Sequence, residues 1–409
     1  MPNIGDSERK TQNRVVKFFQ KKLHYTYLGN LHDSENSNIM QERLHAWLVG
    51  QGYSEKLATN AVNALVKAST NLQQGLYHAN KVVYSLLKYG AKVKETADQS
   101  PKTVYFIDFE DVGKNDFYIA EEVTVVGGNT KRPDLVIYVN GIALAVIELK
   151  RSQVSVSEGI RQNLTNQKAN FIEKFFTTMQ FCMAGNDSEG LRYGTLLTPE
   201  KHYLEWKQDG FTQFQEERDA TDILIEDVCK SIPNKLDMQL YAMFHKKRFL
   251  DLIHNFVIFD KGIKKVCRYN QYYAIKRAQH RLMDKQRGGI VWHTQGSGKT
   301  LTMIMLTKMI IRESMKKDSM IKHPRFVMVT DRINLDKQIR DNFIHTQMSP
   351  HRAKTGKGLI ELLQDEGNTV ITALVNKFEA AIKQEYCNED SNLFLFIDEG
   401  HRTQYGKLN

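Results

Sequence analysis

The chain has 409 residues, 41% of them hydrophobic, and this size predicts more than one folded core. Its formal net charge of +10 favours an anionic partner, with nucleic acid as the first candidate. Four widely spaced cysteines argue against a disulfide-stabilised domain, and no apolar run approaches the roughly 18 residues of a membrane span, so a cytoplasmic location without membrane contact is expected.

The first half of the chain changes from helical to β character. Helices are predicted over residues 38–97, where apolar side chains recur every three or four positions, with Ser54 capping one helix and Gly90 ending another. Segments rich in Val, Ile, Tyr and Phe then predict strands in "TVYFIDF", "DFYIAEEVTVVG", "RPDLVIYV" and "IALAVIELK". Helix is predicted again over residues 157–180, followed by a short strand in "RYGTLLTP".

A second unit is predicted from residue 245 onward. It opens with two helical segments, "KRFLDLIHNFVIFD" and "YNQYYAIKRAQHRLM". Apolar strands and helices then alternate in "GGIVWHT", "LTMIMLTKMIIRESM", "RFVMVTD", "LDKQIRDNFI", "TVITALV" and "NLFLFIDEG". This alternation predicts an α/β unit with a parallel sheet, so the predicted domains are residues 1–244 and residues 245–409.

The segment "HTQGSGKT", residues 293–300, has the context of a phosphate-binding loop, because a predicted strand precedes it and a predicted helix follows it. The residues predicted to bind ATP here are Gly296, Ser297, Gly298, Lys299 and Thr300. Main-chain N–H groups would surround the phosphates, the lysine would reach the β- and γ-phosphates, and the threonine would hold Mg²⁺. His293 stands where the first glycine of such loops usually lies; a chance Gly-Ser-Gly turn is the alternative interpretation.

The segment "LFLFIDEGH" predicts the acidic partner of this loop. An apolar strand that ends in Asp398-Glu399 places two carboxylates at the carboxyl edge of the sheet. Asp398 would hold Mg²⁺, and Glu399 would orient and deprotonate the attacking water. A solvated helix start is the alternative interpretation of the acidic pair.

The motifs "TQGSGKT" and "DEGH" resemble the first and second ATPase motifs of superfamily 2 helicase-type motors. The resemblance implies that Gln271, in "YNQYYA", reads adenine. It also implies that Thr330 and Arg332, in "VMVTDRINLDKQ", contact the DNA backbone, with Thr372, in "VITALVNKF", as a further nucleic-acid contact. Ordinary polar residues at strand ends are the alternative interpretation of these positions.

The segment "RPDLVIYVNGIALAVIELKR", residues 132–151, has the pattern of a β-hairpin with charged ends. Asp134, Glu148 and the main-chain carbonyl of Leu149 can supply the hard oxygen ligands that Mg²⁺ requires. Lys150 can supply a cation, and its spacing of two residues places it on the same strand face as Glu148. This pattern resembles the PD-(D/E)xK nucleases, although an acid followed by Glu-x-Lys also occurs by chance.

The turn of this hairpin decides whether the site can form. A two-residue Asn140-Gly141 loop would place Asp134 and Glu148 on opposite faces. A three-residue loop over residues 139–141 would place them on one face. We therefore predict the three-residue turn or an equivalent strand bulge.

The first half of the chain, including "LYHANKVVYSLLKYGAKVK" and "EGIRQNLTNQKANFIEKFF", resembles the restriction subunit of type I restriction–modification enzymes. The resemblance implies a PD-(D/E)xK nuclease domain with a helical N-terminal part and a core near residues 100–200, followed by a RecA-like ATPase domain. It implies that Gln162 belongs to an accessory Gln-x-x-x-Tyr motif whose tyrosine is replaced here by Asn166. Glu8 would be an additional acid on the first helix.

The implied function is that of an ATP-dependent, Mg²⁺-dependent DNA endonuclease and translocase subunit. Its implied cofactors are ATP and Mg²⁺, and its implied partners are double-stranded DNA and the methyltransferase and specificity subunits. The sequence ends eleven residues after Asp398, so we expect an incomplete first motor lobe, no second lobe and no translocation by this chain alone. A DNA-remodelling ATPase with a non-catalytic DNA-binding N-terminal domain, and an adaptor with an inactive nuclease fold, are the alternatives.

Overall fold

The computed structural model of the protein describes residues 8–208, 219–283, 288–346, 348–367 and 369–400. The chain divides into two compact units, residues 1–257 with 262–269 and residues 258–261 with 270–409. Both are built from helices and strands, as the predicted α/β class requires. None of the described helices is long and apolar enough to cross a membrane.

The helices of the first unit are α1 (Glu8–Lys21), α2 (Gln41–Gly50), α3 (Glu55–Thr70), α4 (Gly75–Tyr89), α5 (Val156–Asn166), α6 (Ala220–Lys230), α7 (Lys235–Phe244) and α8 (Lys246–Asn255). The predicted caps are confirmed: the Ser54 side chain accepts a hydrogen bond from the Leu57 N–H at the start of α3, and Gly90 ends α4. The predicted helix over residues 157–180 is wrong in its second half, because α5 ends at Asn166 and only a 3₁₀ turn, Glu173–Thr177, follows.

The strands of the first unit are β1 (Thr26–Asn30), β2 (Ala91–Val93), β3 (Lys102–Val104), β4 (Phe117–Glu121), β5 (Leu135–Val139), β6 (Ile142–Leu149), β7 (Phe181–Asn186) and β8 (Gly190–Gly194). Six of them form a mixed sheet in the order β1-β4-β5-β6-β7-β8, while β2 and β3 form a separate antiparallel pair. The pairs β1–β4 and β6–β7 are parallel and the other three pairs are antiparallel. Every residue of β5 and β6 is buried, so this hairpin is the centre of the unit.

Helix α5 lies close against the sheet at Gly159. A Cβ atom at this position would lie 2.9 Å from the Ala184 Cβ and 3.3 Å from the Glu148 Cβ, so a larger residue would push the helix away. The close approach places the next turn of α5, which carries Gln162, over the end of β6.

The remaining helices are α9 (Tyr269–Met283), α10 (Lys299–Ser314), α11 (Ile333–His345), α12 (Gly356–Gln364) and α13 (Phe378–Lys383). The remaining strands are β9 (Val257–Asp260), β10 (Ile263–Val266), β11 (Arg325–Thr330), β12 (Pro350–Arg352), β13 (Val370–Leu374) and β14 (Leu393–Ile397). The last four form a parallel sheet in the order β12-β13-β11-β14, which confirms the predicted parallel sheet of the second unit.

Two element predictions in this part of the chain are wrong. The helix predicted through "NFVIFD" ends at Asn255, because β-branched and aromatic residues precede a tight turn at Lys261-Gly262, where both φ angles are positive. The strand predicted in "GGIVWHT" does not form: residues 288–294 have no regular structure, and Ile290 and Trp292 are 93% and 90% exposed. This segment has no strand partner within the described sheet, and an apolar run forms a strand only when a neighbour pairs with its backbone.

Candidate functional site

The turn between β5 and β6 is a two-residue loop. Val139 lies opposite Ile142, and Asn140 and Gly141 have φ angles of 53° and 85°, as a type I′ turn requires. The buried Asn140 amide donates a 2.9 Å hydrogen bond to the main-chain oxygen of Phe106, which holds the turn in place. The three-residue turn predicted from the sequence is therefore wrong.

A β-bulge in β6 nevertheless brings the acidic residues to one face. Strand register shifts at Leu144, which has no opposite partner in β5. Beyond this bulge Leu135 lies opposite Ile147, so Asp134 falls opposite Glu148. Directly opposite residues of an antiparallel pair share a face, so the equivalent strand bulge that we predicted is confirmed.

Lys150 lies among three oxygen-bearing groups at the end of this hairpin. Its Nζ donates to the main-chain oxygen of Leu149 at 2.9 Å and lies 3.6 Å from Glu8 Oε1 and 4.0 Å from Asp134 Oδ2. Asp134 Oδ2 also accepts a 2.7 Å hydrogen bond from the Leu149 N–H. The structure thus brings Glu8 together with Asp134, Leu149 and Lys150, which the sequence singled out as parts of one hairpin site.

Glu148 lies between Gln162 and the Asp134 carboxyl group. Its Oε2 accepts a 2.7 Å hydrogen bond from Gln162 Nε2, whereas its buried Oε1 has no hydrogen-bond partner within the described residues. A buried carboxylate oxygen without a donor is costly, and a cation would satisfy it. Asn166, which stands in place of the expected tyrosine, is buried at the end of α5, and its Nδ2 has no partner in the described part of the chain.

Burial raises the pKa of both carboxyl groups, Asp134 and Glu148. It raises the pKa of Asp134 to about 6, although the nearby Lys150 ammonium opposes the shift. Burial, reinforced by the Asp134 carboxylate, raises the pKa of Glu148 well above its usual range. A divalent cation between the two carboxylates would reverse this balance by favouring their ionised forms.

Few groups at the hairpin could act as metal ligands. No group of three or more His, Cys, Asp and Glu side chains arranged to hold a metal ion occurs among the described residues. The groups that could bind a cation are therefore the Asp134 and Glu148 carboxylates with the Leu149 carbonyl oxygen, and water would complete the shell of a Mg²⁺ ion.

Sequence reasoning missed a second group of residues beside the hairpin, namely Arg9, Gln12, Glu121 and Glu122. Gln12 lies within hydrogen-bond distance of both glutamates and of the main-chain oxygen of Asp134. One signal could have found it: Gln12 occupies the apolar stripe of α1, where helical spacing otherwise places Val15, Val16 and Phe19.

Residues predicted to bind or hydrolyse ATP contact one another around the loop before α10. Gly298 caps α10 in the left-handed conformation, and its main-chain oxygen accepts a 3.0 Å hydrogen bond from Gln271 Nε2. Lys299 Nζ lies 3.3 Å from Glu399 Oε1, so the lysine of the loop and the acid after β14 meet as the sequence predicted. Gly296 also has a positive φ, Ser297 is buried, and Thr300 is the second residue of α10.

Asp398 is anchored to the parallel sheet. Its main-chain N–H donates to the Val329 oxygen at 2.9 Å, and its Oδ1 accepts a 3.0 Å hydrogen bond from the Glu399 N–H. Burial raises the pKa of Asp398 above its ordinary value. The carboxylate pair therefore lies at the carboxyl end of β14, where a bound nucleotide would meet it.

The three residues predicted to contact nucleic acid differ in exposure. Thr330 and Thr372 are each 1% exposed, whereas the Arg332 side chain is 61% exposed beside Asp331. Thr330 Oγ1 donates a long 3.4 Å hydrogen bond to the Arg332 oxygen. Only Arg332 presents its side chain to solvent, and the DNA contacts of all three stay predictions.

Two protein families match separate parts of the chain. Residues 6–202 match the family described as the type I restriction enzyme R protein N terminus, and residues 270–409 match the SWI2/SNF2 ATPases. These matches lie in the first unit and the second unit, which hold the hairpin and the phosphate loop respectively.

Two similar curated proteins are named as endonuclease subunits of type I restriction enzymes. The chain is 27% identical over 396 residues to a putative type I restriction enzyme MjaIXP endonuclease subunit from Methanocaldococcus jannaschii, which covers 90% of this chain and 36% of the relative. It is 29% identical over 377 residues to the type I restriction enzyme HindI endonuclease subunit from Haemophilus influenzae. The aligned region covers 86% of this chain and 34% of that relative. The chain thus spans about a third of the length of these relatives.

Proposed function

We propose that this chain, whose residues 6–202 match the type I restriction enzyme R protein N terminus, carries a Mg²⁺-dependent DNA endonuclease site and an ATP-hydrolysing motor site. The observation that carries the proposal is the grouping of Asp134, Glu148 and Lys150 on one face of the central hairpin. We assign the nuclease fold of the first unit to the PD-(D/E)xK class on the same grouping.

The residues present fit a divalent cation. The Glu148 and Asp134 carboxylates and the Leu149 carbonyl supply oxygen ligands of the kind that Mg²⁺ prefers. Bound there, Mg²⁺ would act as a Lewis acid on the scissile phosphate and lower the pKa of the attacking water.

The side chains around these ligands have separate tasks. Gln162 donates a hydrogen bond to Glu148 Oε2, and Glu148 Oε1 would then bind the cation. Lys150 would orient the attacking water and offset the charge that develops on the phosphate, because it is the cation beside both acids. Glu8 would hold the Lys150 ammonium at the rim of the site.

In the second unit, the phosphate loop and the acidic pair support ATP hydrolysis. Lys299 would leave Glu399 for the β- and γ-phosphates of ATP, and Thr300 with Asp398 would hold Mg²⁺. The released Glu399 would orient the attacking water. Gln271 would contact adenine, and its Nε2 donates a hydrogen bond to the Gly298 main-chain oxygen of the loop.

The substrate and partners follow from the family as part of the proposal. Double-stranded DNA is the substrate, in keeping with the net charge of +10. Methyltransferase and specificity subunits of a type I complex are the protein partners. Arg332, and less directly Thr330 and Thr372, would contact the DNA backbone.

The test separates the two sites by one substitution in each. In the chain assembled with its partner subunits, Lys150→Ala should abolish DNA cleavage, a loss of at least 100-fold, and leave ATP hydrolysis unchanged, because the removed cation serves only the nuclease site. Lys299→Ala should abolish ATP hydrolysis. Cleavage is measured on supercoiled DNA, and ATP hydrolysis by phosphate release. Cleavage that persists in Lys150→Ala would favour a DNA-remodelling ATPase without a nuclease site.

A further inference from the structure

The first two turns of α1 direct polar side chains toward the nuclease hairpin. Glu8 and Gln12 lie one helical turn apart and therefore share a face of the helix. Glu8 reaches Lys150 at 3.6 Å, whereas Gln12 is 2% exposed. A buried glutamine requires specific hydrogen-bond partners.

Gln12 finds its partners at the start of β5 and the end of β4. Its Nε2 lies 3.3 Å from the main-chain oxygen of Asp134, 3.2 Å from Glu122 Oε1 and 3.4 Å from Glu121 Oε2. An amide nitrogen carries two hydrogens, so these three acceptors share them. One side chain of α1 therefore joins the backbone of a metal-ligand residue to two neighbouring carboxylates.

The two carboxylates are themselves fixed. Glu121, which is 5% exposed, accepts hydrogen bonds from Tyr27 Oη at 2.7 Å and from Arg9 Nη2 at 3.1 Å. Glu122 Oε1 lies 3.4 Å from Arg9 Nη1. Arg9 thus offsets the charge of both acids, so the pair is a support for Gln12 and not a second cation site.

Glu122 carries backbone strain at this point. Its φ is +50°, which non-glycine residues seldom adopt, and its N–H donates to the Asp134 main-chain oxygen at 3.0 Å. The Asp134 oxygen therefore receives two donors, one from Glu122 and one from Gln12. Strain of this kind persists where surrounding contacts hold it, and it often marks functional sites.

We propose that Gln12 is a positioning residue of the nuclease site, which holds the Asp134 backbone so that its carboxylate faces Glu148 and Lys150. This inference rests on the proposed nuclease function. Gln12 does not touch the cation in this assignment; it acts through Asp134. Its loss should weaken metal binding while the rest of the unit stays folded.

The experiment measures metal binding directly. Mn²⁺, which takes the same oxygen ligands as Mg²⁺, is titrated into the 409-residue chain by calorimetry. Gln12→Met keeps the side-chain length and removes the amide, and should weaken Mn²⁺ binding about tenfold. Gln20→Met, on the exposed side of the same helix, is the matched control and should bind Mn²⁺ as the wild type does.

A purely structural role for Gln12 predicts a different result. Gln12→Met would then lower the unfolding temperature and leave the Mn²⁺ affinity within twofold of the wild type, and that result would overturn the inference. Should Gln12→Met not fold, Tyr27→Phe removes one donor from Glu121 without changing charge. It should weaken Mn²⁺ binding about threefold, and an unchanged affinity would again overturn the inference.

A third variant separates this inference from the proposed function. Asp134→Asn should abolish the Mn²⁺ binding at this site. If it leaves the Mn²⁺ affinity unchanged, the chain has no cation site at the hairpin, and the proposed nuclease function fails together with the role of Gln12. If Asp134→Asn abolishes binding and Gln12→Met does not weaken it, only the positioning role fails.

Discussion

At the scale of single residues, the proposed nuclease site combines two carboxyl groups whose pKa values burial raises with one ammonium that favours their ionisation. Asp134 is 8% exposed and Glu148 is fully buried. Such a pair is unfavourable in the metal-free protein, because each ionised carboxylate lacks water and repels the other. The pair therefore costs stability in the metal-free fold, and the proposed cation would offset that cost.

This arrangement predicts the direction in which stability changes with pH. The pKa of Asp134 rises from 3.8 to about 6 on folding, so its contribution to stability is complete below 3.8 and is lost as the pH rises through about 6. In chelator-treated buffer, Asp134→Asn should therefore be more stable than the wild type at pH 7.5, on the order of 1–3 kcal/mol. Urea unfolding at several pH values measures this difference.

The same comparison at acidic pH supplies the control. Near pH 4 the wild-type Asp134 is protonated, so the advantage of Asp134→Asn should shrink toward zero. An advantage that grows as the pH falls would show that the carboxylate is stabilised by folding, against the assignment made here.

At the scale of elements, the β5–β6 hairpin decides the geometry of the site. The sequence predicts its two strands, its Asn140-Gly141 turn and its charged ends. It does not predict where the register shifts, because all eight residues of β6 are buried and no alternation of apolar and polar side chains marks the two faces. The requirement that both acids share a face was sufficient to demand a bulge, but not to place it at Leu144.

The turn itself predicts a specific cost of substitution. Gly141 has a φ of +85°, and an added Cβ would lie 3.0 Å from the main-chain oxygen of Met40 and 3.2 Å from the Leu44 N. Gly141→Ala should therefore lose about 1–2 kcal/mol from the left-handed backbone and a further 1–3 kcal/mol, roughly, from the crowding. Urea unfolding measures the sum.

Gly52→Ala is the matched control for this substitution. Gly52 has a similar φ of +90°, but an added Cβ would have no neighbour within 4 Å. It should lose only the backbone part, about 1–2 kcal/mol. Equal losses for the two variants would mean that contact between α2 and the turn does not hold the hairpin.

At the scale of the whole molecule, the sequence predicts local motifs better than it predicts contacts between residues that are far apart in the chain. The phosphate loop, the acidic pair and the Glu-x-Lys strand end are short and could be identified directly. The contacts of Gln12 join residues more than 100 positions apart, so no local pattern shows them. The strand predicted before the phosphate loop is wrong for the same reason, since strand formation depends on a partner elsewhere in the chain.

The two units also differ in how their candidate sites are arranged. The β5–β6 hairpin lies at the buried centre of a six-stranded mixed sheet, whereas the loop before α10 and Asp398 lie at helix and strand ends of the second unit. Lys150→Ala should therefore affect the proposed nuclease site without changing the residues of the ATP site, as the proposed test requires.

The central claim is that Asp134 and Glu148 together bind a divalent cation. Crystals of the 409-residue chain grown with Mn²⁺ would show this ion by its anomalous scattering. The claim predicts a peak about 2.0–2.3 Å from a carboxylate oxygen of each residue and close to the Leu149 oxygen, and its loss in Glu148→Gln. Full occupancy of Mn²⁺ elsewhere, with no peak at the hairpin, would contradict the claim.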